Sequence, residues 1–375
     1  MQGSIGSVNL PPIETILPKG RAAPLLFTAL PPLADKLAWR PLAHLPTAVE
    51  PMDAIQDYLG SDRVWMKRDD LSSPLYGGNK VRRYEFVLAD AQRRGKERLV
   101  TAGGIASTQA MATALFGQAL GFSVRIVLFD QPITRFAKEA LLVDADAGAE
   151  LIWGGGYLTT VLRTGAAMFR GRKDNELILP GAANPLANLG YIDAMLELAE
   201  QVDAGLLPRP DLIVLPTGSS GTLAALALGA AHLGWPTEIV GVRITVAIAT
   251  NRLTIGQIIR ATDRFLVERA PEHWRPQRGN VRWSLDGSAL GPGYGHPTAE
   301  SIEAIEVVRT LTGQPGEVTY SGKALAALRR IVRAHPGKNI LLWNTLSTPR
   351  PIPGPDAASK VPPSLRFILD ATEVA

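Results

Sequence analysis

Along most of the chain, short runs of β-branched and apolar residues alternate with stretches in which apolar positions recur at helical spacing. The runs predict strands at 98–101, 124–129, 150–153, 211–215, 238–243 and 339–343. The helical stretches fall at 81–91, 107–120, 133–147, 158–169, 222–233, 298–311 and 322–334. Alternation of strand and helix is the order that parallel sheets impose, since a parallel neighbour is reached only by a crossover. Two such series are visible, one over 84–205 and one from 211 onward. The predicted fold class is therefore α/β, with two mainly parallel sheets flanked by helices. Strand C-termini would then present ligands with a cleft between the two layers. Outside this pattern, Pro11-Pro12 and Pro31-Pro32 interrupt residues 1–40, which read as an extension that wraps the body or stays partly mobile. The Pro-rich tail from Pro349 reads as irregular.

Composition narrows the function classes. A chain of 375 residues has room for about two domains. Hydrophobic residues make up 46% and charged residues 20%, the balance of a chain that buries a core. Lys and Arg exceed Asp and Glu by 39 to 35, and no basic run is interleaved with aromatics, so no nucleic-acid partner is expected. No long uncharged apolar stretch predicts a membrane span. Cysteine is absent, which removes disulfides, thiolate metal ligation and a cysteine nucleophile. Residues 1–10 lack the basic and apolar segments of a secretory leader, and a cytoplasmic location is expected. His44, His232, His273, His296 and His335 are scattered without metal-ligand spacing, so no metal is expected. Neither GxGxxG after a strand nor GxxxxGK[ST] occurs, so the usual nucleotide fingerprints are missing.

Three glycine-rich turns carry chemistry. Lys67-Arg68-Asp69-Asp70 leads through Gly77-Gly78-Asn79 to Lys80 at a helix start. The positive end of the helix dipole disfavours an ammonium there, and burial would lower its pKa further, leaving an amine nucleophile or base. The alternative is a solvated lysine after a turn. Thr217-Gly218-Ser219-Ser220-Gly221-Thr222 lies between a buried strand and a long apolar helix. Small residues with free N–H groups at a helix N-terminus make an anion cradle suited to a phosphate monoester, or simply a strand–helix loop. Gly103-Gly104 followed by Ser107-Thr108-Gln109 is either a carboxylate site or a series of N-caps. Together, a lysine, a phosphate cradle and a carboxylate cradle suggest a pyridoxal phosphate enzyme acting on an amino acid.

In these residues the sequence resembles a known family. Lys67-Arg68-Asp69-Asp70 with Gly77-Gly78-Asn79-Lys80-Val81-Arg82 is similar to a segment of D-cysteine desulfhydrases and 1-aminocyclopropane-1-carboxylate deaminases. Further similar motifs follow in order. They are Asn184-Pro185-Leu186 with Leu189-Gly190-Tyr191, the Thr217 to Thr222 loop, Gly293-Tyr294-Gly295 with Pro297-Thr298, and Tyr320-Ser321-Gly322-Lys323. The resemblance runs from about Pro41 to Thr345.

It implies a tryptophan-synthase-β-like fold (fold type II), pyridoxal 5'-phosphate as cofactor, a small amino-acid substrate and a homodimer. The implied organisation is an extension over 1–40, a larger cofactor-binding domain from 41–83 plus 206–375, and a smaller domain over 84–205, with the active site between them. Lys80 would be the Schiff-base lysine, with Asn79 beside it. Arg83, where the family often has lysine, and Thr217, Gly218, Ser219, Ser220, Gly221 and Thr222 would hold the phosphate. Ser107, Thr108 and Gln109 would meet the substrate carboxylate and the ring hydroxyl. Tyr294 and Tyr320 would flank the reacting carbons, as substrate-binding and catalytic groups. Thr345 would lie beside the ring, and Ser321 would face its nitrogen.

Ser321 and Thr345 separate the two named activities, because the deaminases resemble one another in having glutamate and leucine at these places. A carboxylate keeps the ring nitrogen protonated, which ring opening of a cyclopropane needs. A serine hydroxyl is too weak an acid for that but suffices where the leaving group takes the electrons. The resemblance therefore implies α,β-elimination from a D-cysteine-like substrate to a keto acid and ammonia. Lys80 would remove the α-proton, and either Tyr294 or Tyr320 would protonate the leaving group.

Three departures bear on the substrate: Thr108 for the family's asparagine, Met111 for its arginine, and Asn344-Thr345-Leu346-Ser347 for His-Thr-Gly-Gly. The lost glycines put two side chains where backbone approaches the cofactor, so a remodelled pocket is expected. A cyclopropane deaminase, a β-replacement or biosynthetic enzyme, a racemase and a non-catalytic amino-acid sensor remain as alternatives.

Overall fold

The computed structural model describes residues 21–373 except 248, 249, 278, 294, 314 and 315. Six strands form one sheet in the order β1 (Val49–Pro51), β2 (Val64–Lys67), β10 (Ile340–Trp343), β7 (Leu212–Thr217), β8 (Glu238–Arg243) and β9 (Trp283–Asp286). Only the edge strand β1 runs antiparallel to its neighbour. A second sheet, wholly parallel, has the order β5 (Glu150–Gly155), β4 (Ser123–Phe129), β3 (Arg98–Gly104) and β6 (Asn175–Ile178). The expected α/β architecture of two mainly parallel sheets is present. Strands β1, β2, β6 and β9 escape the sequence pattern, because runs of three or four residues carry almost no period.

Helices cover these sheets: α1 (Val81–Arg93), α2 (Thr108–Ala119), α3 (Arg135–Asp146), α4 (Tyr157–Phe169), α5 (Pro185–Asp203), α6 (Gly221–His232), α7 (Arg252–Arg269), α8 (Ala299–Thr312) and α9 (Lys323–Ala334). Helices α5 and α7 are absent from the sequence-based expectation. The reason for α5 is burial on nearly every side: Leu189, Tyr191, Ile192, Met195 and Leu198 are all fully enclosed, so no one-sided apolar stripe marks it. Its start is nevertheless encoded, since the Asn184 side chain accepts the Ala187 N–H at 2.7 Å and Pro185 occupies the first turn. A capping box of Asn251 and Thr254 starts α7 in the same way.

Helix α1 is the wall between the two cores. Its Tyr84, Val87 and Leu88 pack with α2 and the smaller sheet, whereas Phe86 packs with Leu189, Leu226 and Trp343 beside the larger one. Helix α5 belongs to that second core, stacked between α1 and α6.

Both chain ends are better ordered than expected where they are described. Leu26 and Leu33, from short helices Leu25–Ala29 and Pro32–Lys36, and Leu30 between them are fully buried in the larger core. Each such side chain contributes about 1.5–3 kcal/mol of hydrophobic stabilisation. The Leu26 N–H also donates to Asp193 Oδ1 at 2.8 Å. The tail is not irregular throughout: helices Ala357–Lys360 and Phe367–Asp370 form, and Val361, Leu365 and Ile368 enter the smaller core. Asp146 fastens it by accepting the Gly354 N–H and the Lys360 ammonium, both at 2.6 Å. Among the described residues no helix is long and apolar enough to cross a membrane.

Candidate active site

The register of the larger sheet sets Trp343 beside Lys67 and Leu342 beside Val214, so β2, β10 and β7 end at one level. Directly behind these ends lies a buried ion lattice. Lys67 Nζ donates to Glu197 Oε1 at 2.6 Å, to Gln201 Oε1 at 2.7 Å and to the Thr47 carbonyl at 2.6 Å. Arg82 bridges Asp69 at 3.0 Å and Glu197 at 2.8 Å. Asp69 also accepts from Tyr191 Oη at 2.7 Å and from Trp343 Nε1 at 2.8 Å. Burial pushes both carboxyls up, but Arg82 and then Lys67 outweigh it and hold them low. For Lys67 burial wins over the attraction of Glu197, and its pKa falls to about 8.

The lattice carries the turn that presents Lys80. The Asp69 carbonyl accepts the Gly78 N–H at 2.8 Å, and the Thr345 carbonyl accepts the Asn79 N–H at 3.0 Å. Gly78 has φ +85°, and a Cβ there would lie 2.5 Å from the Thr345 oxygen, so only glycine lets β10's loop come this close. Lys80 then caps the start of α1. Its side chain is 9% exposed and its Nζ donates to Asn79 Oδ1 at 2.6 Å. Burial, reinforced by the charge of Arg83, lowers its pKa to about 7.

Lys80 opens onto a cavity of about 380 Å³ formed where both sheets end. The smaller sheet contributes Gly103, Gly104 and Phe129, the larger one Pro216 and Thr217, and the segment after β10 contributes Thr345. Among its described lining residues there is no aspartate, glutamate, arginine or histidine; Lys80, Tyr157 and Tyr320 are the titratable ones.

Of the residues expected here, Asn79, Lys80, Ser107, Thr108, Gln109, Thr217, Gly218, Ser219, Ser220, Thr222, Tyr320 and Thr345 line the cavity together. Gly221 and Arg83 stand behind it. A Cβ on Gly221 would lie 2.7 Å from the Arg83 guanidinium, which donates to Thr222 Oγ1 at 2.9 Å and to the Gly181 carbonyl at 2.8 Å. Thr222 Oγ1 also accepts from Asn79 Nδ2 at 3.2 Å, linking Arg83 to the neighbour of Lys80. Gln109 is engaged internally: its amide nitrogen donates to Thr101 Oγ1 at 2.7 Å and its oxygen accepts the Gly181 N–H at 3.3 Å. Ser107 Oγ accepts the Ala110 N–H at 3.1 Å as the N-cap of α2. Ser321 is not in the lining; its hydroxyl donates to the Glu317 carbonyl at 2.9 Å, and it borders an adjacent apolar cavity. Tyr294 lies outside the described residues.

Leu346 enters the cavity as the lost glycines lead one to expect, whereas Ser347 turns away and accepts the Gly77 N–H at 2.7 Å. Sequence reasoning missed Glu197, Gln201 and Trp343, which anchor the turn that presents Lys80. The available signal was the pair Asp193 and Glu197 one helical turn apart in an otherwise apolar segment.

Residues 41–345 match the family described as pyridoxal-phosphate dependent enzyme. The chain belongs to that family. Among solved structures, an ACC deaminase homologue is 26% identical, with a TM-score of 0.73, covering 88% of this chain and 97% of its own. A threonine deaminase from T.th. is 21% identical with a TM-score of 0.58, covering 87% and 97%. A fungal L-serine ammonia-lyase from Rhizomucor miehei is 14% identical with a TM-score of 0.59, covering 82% and 95%. The last two share the fold, which is the tryptophan-synthase-β-like type of the family.

The cavity fits the family's cofactor, pyridoxal phosphate. Ser220, at φ +65°, has a buried hydroxyl without a hydrogen-bond partner among the described residues, at the N-terminus of α6. That helix has no acidic residue in its first turn, so its unsatisfied N–H groups favour an anion. At the other side of the cavity is a buried amine, the group that condenses with an aldehyde.

Proposed function

We propose that this chain is a lyase that eliminates a β-substituent from a small, D-cysteine-like amino acid, releasing a keto acid and ammonia. The observation that carries the reading is the make-up of the cleft: one buried, easily deprotonated amine and no carboxylate in the described lining. Bound pyridoxal phosphate supplies an electron sink for the charge left by α-proton removal. With no acid among the described lining residues to protonate its ring nitrogen, that sink would be moderate, which suits a substrate whose own leaving group accepts the electrons.

In this reading Lys80 would hold the cofactor and, as a free amine, would take the α-proton. Asn79 keeps its Nζ oriented. The N–H groups and hydroxyls from Thr217 to Thr222 hold the phosphate, with Arg83 stiffening Thr222 from behind. Thr345 packs beside the ring. Ser107 and Thr108 receive the substrate carboxylate, and Gln109 sets the start of α2 that presents them. Tyr320 or Tyr294 donates the proton to the departing group. We further propose a homodimer in which the cofactor part, 41–83 with 206–375, faces 84–205 across the cleft; α5, packed on α6, would move with the former.

The test is keto-acid production by the pure holoenzyme from D-cysteine, L-cysteine, β-chloroalanine and 1-aminocyclopropane-1-carboxylate. Pyruvate from the first or third is the expected result. Oxobutyrate from the cyclopropane substrate, with nothing from the others, replaces this reading with the deaminase one.

A further inference from the structure

A second cavity of about 300 Å³ shares no lining residue with the cleft and reaches the Lys80 turn at Tyr76; it is at the small end of the range for ligand pockets. Its walls are apolar: Met111 from α2, Phe136 and Val143 from α3, and Ile352 with its flanking prolines from the tail. Besides Glu139, two polar groups break this surface. The Arg350 guanidinium lies 4.9 Å from the Phe136 ring centroid and, among the described residues, has no hydrogen bond or ion pair. Tyr76 is 3% exposed, and its hydroxyl likewise makes no hydrogen bond among them. The acid in the lining, Glu139, is already engaged by Arg135 at 3.0 Å.

Two departures from the family pattern converge here. Met111 supplies an apolar wall where the family has arginine. Ser347, in place of a glycine, ties the two polar groups to one another: its hydroxyl accepts the N–H of Gly77, next to Tyr76, and donates at 2.9 Å to the carbonyl of Pro349, next to Arg350.

We propose that this cavity is a second ligand site, taking a small monocarboxylate with an aromatic or branched apolar body. The carboxylate would pair with Arg350 and accept from the Tyr76 hydroxyl, while the body packs on Phe136, Met111 and Ile352. A guanidinium without a counter-charge, set over a ring, selects an anion. Apolar walls with no further donor select a single charged group. Because Tyr76 adjoins Gly77 and the Lys80 turn, occupancy bears directly on the backbone that positions the catalytic amine.

Calorimetric titration of the holoenzyme tests this, with phenylacetate as the probe and acetate and benzylamine as controls. One phenylacetate site is expected, with both controls at least about tenfold weaker. Arg350→Met removes the charge partner, and Ile352→Glu sets a carboxylate at an 84% exposed rim position where folding is not at stake. Each should weaken phenylacetate at least about tenfold, the size of one lost charge-assisted contact, with the bound-cofactor absorbance unchanged. No binding to the wild type, benzylamine binding as tightly as phenylacetate, or unaltered affinity in both variants overturns the proposal. The last result would place the carboxylate in the catalytic cleft instead.

Discussion

Lys67 and Lys80 sit at the two ends of one motif, both buried and both with lowered pKa values, yet they stand in opposite surroundings. Lys67 meets a carboxylate and two carbonyl-type acceptors, so its three donors are all used. Among the described residues Lys80 meets only the Asn79 amide oxygen and has no counter-charge. The first arrangement locks a strand end to α5; the second keeps an amine ready to lose or gain a proton. What separates the surroundings of the two lysines is the presence of Glu197, not depth of burial.

The sharpest way to break this comparison is Lys80→Ala. Turnover should fall about 10³-fold, the scale of a lost proton acceptor, while the thermal midpoint stays near that of the parent. Unchanged turnover would remove Lys80 from the reaction altogether. Glu197→Gln is the matching change in the lattice. It leaves Lys67 and Arg82 short of a counter-charge and should cost about 3–5 kcal/mol in urea unfolding, with turnover per folded molecule preserved. A stable variant with poor turnover would mean that the two regions have been assigned the wrong way round.

Arg83→Gln sharpens the comparison through pH. Lys80 is a base only above its pKa of about 7, so the rate should rise through that region. Arg83 is the second cause of the lowering, after burial. Its loss should move the acidic limb to higher pH, besides weakening retention of the cofactor. A limb that stays in place would show that burial alone sets the amine.

The smallest effect concerns Glu85, an acid that, unlike Glu197, is buried without a cation in contact. It accepts the N–H groups of Leu42 and Ala43 at 3.0 Å, and burial raises its pKa to about 8. The folded protein therefore binds a proton that the unfolded chain has released above about pH 4.3. Its contribution to stability is full below that value and is lost as pH rises through about 8. Glu85→Gln keeps the acceptor and lacks the ionisation. Its thermal midpoint should gain on the parent as pH rises from about 4.3 to about 8; a gap that does not change with pH would mean the group is already ionised.

The expected order of strands and helices came from short-range periodicity, and it reached the long helices other than α5 and α7. In α5 apolar residues on nearly every side left no one-sided stripe to read. The lysine turn and the hydroxyl-rich loop before α6 were also legible, since glycine spacing and capping chemistry act within a few residues. Pairings across the chain were not. Nothing local says that Arg83 would brace the loop before α6 from behind Gly221, that Ser321 would spend its hydroxyl on Glu317, or that Gln109 would close onto Gly181.

By itself the sequence determined the alternation of elements, the caps that start α2, α5 and α7, and the candidate amine, because each depends on φ/ψ preferences and neighbours within one or two turns. Only the tertiary structure decided which charges meet. Glu197 reaches Lys67 and Arg82 across more than a hundred residues of chain, so its role exists only once the two cores have closed around α1. Local propensity acts through the backbone, whereas charge compensation acts through space.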